Sequence, residues 1–220
     1  AQRIASKQKQ ISISEFFEKN KHFLGFDTHQ RAVITAVKEA VDNSLDACEE
    51  GRILPEIHVD IRRLDNNRLE LITQDNGPGI PRDSIANVFG KFLLGSRFHA
   101  IRQTRGQQGI GITGVVMYAQ LTTGSTTTVL SKIETESTAV KVDLALDTKN
   151  NRALRSNEDR IPLEQWFEES GMESPHGLRI RTVMAAKYQR GKQSVHQYLR
   201  MTSIVNPHAT IRLRVIGKDG

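Results

Sequence analysis

Glu39, Asp42, Asn43 and Asp46 recur at intervals of three and four within an otherwise largely apolar segment. At about 100° per residue they share one sector of a helix, while Val33, Val37, Val41 and Cys48 fall near the opposite direction. Glu39 stands one turn before Asn43. A carboxylate able to polarise water therefore neighbours an amide oxygen able to join the oxygen shell of Mg²⁺. Further along, Asp75 ends an alternating run and precedes Asn76-Gly77-Pro78-Gly79; a carboxylate held there can accept a hydrogen bond from the exocyclic amine of a purine. Gly106, Gly109 and Gly111 then lead into a helical segment, where backbone amides unobstructed by a Cβ can wrap phosphates. Singly these are a solvated helix face, a turn and a glycine loop. In combination they are what a nucleotide phosphate site with its metal requires.

Other phosphate and metal chemistries are excluded. Gly90-Lys91, Gly191-Lys192 and Gly217-Lys218 lack both the upstream glycine and the following hydroxyl of a P-loop. Gly106-Gln107-Gln108-Gly109-Ile110-Gly111 has its close glycine pair at the wrong end for a dinucleotide fingerprint, and no βαβ unit surrounds it. One cysteine and seven dispersed histidines do not make a thiolate–imidazole zinc site. The 220 residues, 37% hydrophobic and 25% charged, suffice for one substantial core. Lone Cys48 forms no internal bridge, and no apolar run is long enough to span a membrane. The chain is therefore expected inside the cell, in the cytoplasm, with no membrane partner. Its net charge of +6 favours an anionic partner such as a nucleotide or polynucleotide. The missing initiator Met and the Lys-Asp-Gly end point to a piece of a longer protein.

The elements that position these residues follow from periodicity. Thr28 to Glu50 reads as a helix stopped at Gly51. Ile57 to Arg62 and Arg68 to Thr73 read as a hairpin around Asp65-Asn66-Asn67. A short helix is expected over Arg82 to Leu94, a glycine-rich loop over Gly95 to Gly114 and a helix over Ile110 to Tyr118. Thr126 to Lys132 and Ala139 to Leu146 read as paired strands, and Asp147 to Asp159 as a polar loop. Leu178 to Met184 is an expected strand, Ser194 to Ile204 an amphipathic helix and Thr210 to Val215 a last strand. The pattern predicts an α+β sandwich, a mixed and mostly antiparallel sheet with helices on one face.

Three segments carry a resemblance. Glu39-Ala40-Val41-Asp42-Asn43-Ser44-Leu45-Asp46, Asp75-Asn76-Gly77-Pro78-Gly79-Ile80 and Gly106-Gln107-Gln108-Gly109-Ile110-Gly111 resemble the N, G1 and G2 boxes of the GHKL ATPases. Within that group, Ile13 to Asn20 with Gly25-Phe26, Gly95-Ser96-Arg97-Phe98, Gln103 to Gly109, and Val205-Asn206-Pro207-His208-Ala209 are similar to the B subunits of the type IIB DNA topoisomerases, over essentially the whole chain.

The resemblance implies a Bergerat fold that binds ATP and Mg²⁺. Glu39 is then the base activating the hydrolytic water, Asn43 the metal ligand, Asp46 a support for the metal's waters and Asp75 the reader of the adenine amine. Gly79 passes close to the base, and Ser96 and Arg97 approach the nucleotide at a lid. Gly106, Gln107, Gln108, Gly109, Ile110, Gly111, Ile112 and Thr113 surround the phosphates. Residues 1–20 are an N-terminal arm, with the strap itself over Ala1 to Phe17, and 21–220 the ATP-binding domain. The implied partners are a second B subunit paired on ATP binding, a DNA-cleaving A subunit in an A2B2 assembly, and double-stranded DNA, which places the protein on the nucleoid. The helix-two-turn-helix and transducer domains, with a lysine that contacts the γ-phosphate, lie beyond this chain, so weak isolated turnover is expected. Leu178 stands where some relatives have Thr, and Thr113 where some have Lys. Two other readings are a nonenzymatic DNA-binding or assembly module with a degenerate site, and a mismatch-repair GHKL ATPase.

Overall fold

The computed structural model describes residues 13–90, 111–150 and 152–217. Helix α1 (Ile13–Leu24) precedes the long helix α2 (His29–Glu50). The β1–β2 hairpin (Glu56–Arg63, Arg68–Asp75) leads to α3 (Arg82–Gly90) and α4 (Gly111–Thr123). Strands β3 (Thr127–Lys132), β4 (Thr138–Asp147) and β5 (Arg152–Pro162) are followed by α5 (Leu163–Ser170), β6 (Gly177–Ala185), α6 (Val195–Val205) and β7 (Thr210–Ile216). The strands form one sheet in the order β5-β4-β3-β6-β2-β1-β7. Neighbours are antiparallel except β1 and β7, which run parallel with Glu56 beside Thr210.

Helix α2 starts where Thr28 accepts a hydrogen bond from the Arg31 amide, leaving the backbone extended ahead of the first turn. Its Ala32, Val33, Ala36, Val37, Val41 and Leu45 are buried against Ile57, Val59, Ile61, Leu69 and Leu71, the inward positions of the hairpin. The same core takes Ile85 and Phe89 from α3, Val115, Val116 and Met117 from α4, and Val195 and Leu199 from α6. One face of the sheet thus carries these helices, as the pattern predicts. Helix α1 joins them through Phe17, fully buried between Phe26 and Tyr118 with ring centroids 5.4 and 6.4 Å away. The described part of the expected arm is therefore a docked helix; residues 1–12 lie outside the description.

Two elements differ from expectation. The segment read as a polar loop, Asp147 to Asp159, is in large part strand β5, paired antiparallel along β4 from Asp147↔Arg152 to Thr138↔Pro162 with an irregularity between Lys141 and Asp143. An edge strand needs only a backbone ladder, and charged side chains there discourage pairing with other chains; Arg152, Arg155, Glu158 and Arg160 hide it from an alternation test. Helix α5 has no counterpart in the sequence reading and packs on the opposite face of the sheet. Its fully buried Trp166 meets Leu130, Ala139 and Ile161 and donates to the Ser174 carbonyl at 2.8 Å. Helix α4 also runs on to Thr123, where Thr122 and Thr123 hydroxyls bond back to Tyr118 and Ala119 carbonyls before left-handed Gly124 ends it. The predicted continuation of α3 over Lys91 to Leu94 lies outside the described residues.

Replacing Phe17 by Ala should destabilise the chain by about 3 kcal/mol in urea denaturation, the cost of emptying a ring-sized core site. A loss under about 1 kcal/mol would mean that α1 is not docked in solution.

Candidate active site

The site is built where α2 crosses the end of β2. Ser44, facing inward from α2, donates to Asp75 Oδ2 at 2.6 Å, and the Gly77 amide donates to Oδ1 at 2.9 Å. Asp75 is 3% exposed. Burial pushes its pKa up to about 6 against the opposing pull of these donors, the Leu178 backbone and the nearby His176 ring. The carboxylate is thus fixed in orientation while two hydrogen bonds offset part of its desolvation.

The loop after Asp75 is held from both sides. Asn76 accepts from the Glu56 amide at 2.8 Å and donates to the Leu54 carbonyl at 3.0 Å. His176 Nδ1 lies 2.8 Å from the Gly77 carbonyl oxygen. Ser131 on β3 donates to the Ile80 carbonyl and accepts from the Ile80 amide, at 2.9 and 2.7 Å. Gly79 has φ +74°, and a Cβ there would sit 2.3 Å from the Lys132 carbonyl oxygen, so only glycine lets the loop lie this close to β3.

The catalytic candidates sit one and two turns up α2. Glu39 is partly buried; burial first, then repulsion from Asp42, raise its pKa above the ordinary glutamate range, with Lys38 opposing. A carboxylate with raised proton affinity is a better base near neutral pH. Asn43 is exposed and Asp46 half-buried. Asp42, grouped with them in the sequence, is instead buried, and Tyr198 from α6 donates to its Oδ1 at 2.8 Å. Burial, Asp42 and Glu39 together push the Tyr198 phenol above its usual range. Cys48 packs in the core beneath this sector, its thiol pushed up to about 12 by burial and by Asp75.

Helix α4 brings the glycine segment to the same place. Gly111 opens the helix with φ +44°, and a Cβ on it would lie 3.6 Å from Glu39 Oε2. The N-terminal end of α4, the positive end of its dipole, therefore lies beside Glu39. Ile112 and Thr113 are buried in its first turn. Ser96, Arg97, Gly106, Gln107, Gln108, Gly109 and Ile110 lie outside the described residues.

The structure thus brings Glu39 beside Gly111 and Ser44 onto Asp75, with Asn43 between these two points along α2 and Asp46 half a turn beyond. Sequence reasoning missed Ser44, Tyr198, His176 and Ser131. Ser44 stands next to Asn43 on the inward side, the one available signal; the other three arrive from distant segments. Among the described residues no group of three or more His, Cys, Asp or Glu side chains could hold a metal.

Because the folded pKa of Asp75 is raised, its protonated form stabilises the ligand-free fold below the ordinary aspartate value, and that contribution is lost as pH rises through about 6. Asp75→Asn should therefore stabilise the free protein at pH 8 by up to about 3 kcal/mol and by little at pH 4. Chemical denaturation at the two pH values checks this, and an equal effect at both would contradict a buried charge.

Residues 28–148 match the family model of the histidine kinase-, DNA gyrase B- and HSP90-like ATPases. The chain is 52% identical over 209 residues to the B subunit of type 2 DNA topoisomerase 6 from Archaeoglobus fulgidus, covering 94% of this chain and 33% of that protein. It is 49% identical over 221 residues to the protein of the same name from Methanococcoides burtonii, covering 100% of this chain and 34% of the relative. The chain spans about a third of the length of these curated relatives. Among solved structures, the ATPase domain of the mismatch repair endonuclease MutL from Aquifex aeolicus aligns with a TM-score of 0.50 and 16% identity, over 84% of this chain and 57% of that one; this is a likeness of fold. With its boxes in order in the sequence and more than half of its length matched by that model, the chain belongs to the histidine kinase-, DNA gyrase B- and HSP90-like ATPase family.

Proposed function

We propose that this chain is the ATP-binding and ATP-hydrolysing module of the B subunit in a type IIB DNA topoisomerase. The observation that carries the reading is the approach of the Gly111 end of α4 to Glu39, one turn from Asn43, with the Asp75 carboxylate fixed by Ser44 and Gly77 at the far end of the site. Relatives near 50% identity that bear the topoisomerase name favour this branch over mismatch repair, for which the likeness is one of fold.

In this reading Asp75 accepts a hydrogen bond from the adenine amine, and Gly79 leaves room for the base. Asn43 gives its amide oxygen to Mg²⁺, and Asp46 orders the waters around it. The amides from Gly106 to Thr113 receive the phosphates, with Ser96 and Arg97 at the lid. Bound Mg²⁺ supplies charge neutralisation at the phosphates. Glu39, its proton affinity raised, takes a proton from the attacking water. Occupancy favours pairing with a second copy because the paired state binds nucleotide more tightly. The A subunit cuts duplex DNA, and the ATP-driven pairing gates its passage.

Asn43→Ala should abolish Mg-ATP binding. Glu39→Ala should keep it while hydrolysis falls by about 10²-fold or more. Nucleotide titration and steady-state turnover of the full-length protein separate the two effects; unchanged turnover in the Glu39 variant would remove it as the base. Failure of the unaltered chain to bind Mg-ATP at millimolar concentration would favour the nonenzymatic reading.

A further inference from the structure

The face of the sheet opposite the nucleotide site is largely uncovered between β6 and β7, where it forms a groove of about 580 Å³. Outward positions there align in rows across the strands. One row is Arg179, Gln74, His58 and Arg212; the next is Arg181, Ile72, Asp60 and Arg214. Their charges are layered by depth. The carboxylates lie low, with the Glu70 side chain 5% exposed and that of Asp60 18%. The guanidinium groups above them are open to solvent: Arg62 54%, Arg181 52%, Arg212 65% and Arg214 69%. Arg181 and Arg62 pair with Glu70, Arg214 with Asp60 and Arg212 with Glu56. Glu70 is the buried partner, Asp60 is half-buried and Glu56 more open at 35%; each guanidinium carries five N–H donors, more than these pairs engage.

Two further groups in the groove are incompletely matched. Arg179, partly buried, feels Asp60, Glu169 and Glu70 electrostatically, but among the described residues its guanidinium makes no hydrogen bond. Gln74 is 2% exposed and its Oε1 accepts no hydrogen bond. On these two rows the one apolar residue lining the groove is Ile72, with Ile216 beside Arg62 on the next row, whereas a protein-binding surface of this size is expected to have an apolar centre.

We propose that this face is a second binding surface and takes the phosphodiester backbone of duplex DNA through Arg179, Arg181, Arg212 and Arg214. The inference rests on the topoisomerase reading. Members of each arginine pair are two residues apart on one strand, about 6.6 Å, and the pairs are three strand spacings apart, about 14 Å. That separation is close to the ~12 Å width of a major groove, so the pairs can meet the two backbones that border it. Phosphate contacts of this kind position DNA without reading its sequence. Glu168 on α5, exposed at the rim, limits the surface on the side away from β7.

The test is fluorescence anisotropy of the chain with a short labelled duplex across a salt series. Arg181→Gln/Arg212→Gln/Arg214→Gln should weaken binding at least about tenfold and flatten the log–log salt slope by about 2.7, three contacts at ~0.9 each. Arg31→Gln/Arg52→Gln/Lys149→Gln, the same charge change among exposed residues elsewhere, should stay within about twofold of the unaltered chain, as expected for non-contacting charges. If the triple variant does not fold, Arg212→Gln/Arg214→Gln on the edge strand gives the same comparison with two contacts. Equal losses in both variants, no duplex binding by the unaltered chain, or equally tight binding of polyglutamate that is lost in parallel would each overturn the proposal. Mg-ATP titration of every variant separates the two ideas: intact nucleotide binding with an indifferent sheet face sinks only the surface, whereas absent nucleotide binding in the unaltered chain sinks the ATPase reading.

Discussion

The site depends on a buried carboxylate that has not been allowed to turn. Asp75 ends β2 inside the fold, where an ionised group is expensive, and Ser44 and the Gly77 amide occupy its two oxygens. The arrangement ties three things together at once: the register of α2 against the sheet, the path of the loop to Gly79, and the direction in which an acceptor is offered to a base. Hydrogen bonds from Ser131 and His176 then fix the loop from β3 and from the segment before β6. A glycine at 79 is the geometric consequence, since the loop is drawn to within backbone contact of Lys132.

From this anchor the placement of the candidate catalytic residues follows by helix geometry. Asn43 precedes Ser44, and Glu39 lies one turn earlier, so fixing Ser44 on Asp75 sets the azimuth of both. Asp42 is the constrained exception on that face. Tyr198 caps it, and its charge raises the proton affinity of Glu39. Helix α6 therefore reaches the electrostatics of the site without facing the reacting groups. Phe17 links α1 to Tyr118 on α4, the helix whose first residue meets Glu39. The amino-terminal helix and the Gly111 end of α4 thus share one packed element.

Most of the fold was legible because burial on one face leaves a period. Helix α2 and the β1–β2 hairpin announce themselves through Val33 to Leu45 and through Ile57, Val59 and Ile61. Strand β5 does not, because its stability comes from main-chain pairing with β4 and its side chains are charged for solvent. Helix α5 is too short for a pattern, with Trp166 its one fully buried large side chain and Leu163 packed beside it. In the candidate site, residue types at fixed spacing singled out Glu39, Asn43 and Asp75, and the resemblance added Gly79, whose close approach to Lys132 is seen in the structure. The burial of Asp42 could not be read in the same way, since its partner lies 156 residues later. His176 carries no catalytic signal in the sequence, and its contact is indeed to a carbonyl; what the sequence lacked was that this carbonyl belongs to Gly77.

The parallel pairing of β1 with β7 bears on how the molecule is made. Some 150 residues separate Glu56 from its partner Thr210, so closing that pair is entropically costly and comes late. While the nascent polypeptide is still emerging, the outer rim of β1 presents unsatisfied main-chain donors and acceptors alternating with aliphatic side chains, a template for misassociation. Completion of the final strand quenches that template, and ribosomal release short of Thr210 would leave a sticky intermediate in place of a merely shortened domain.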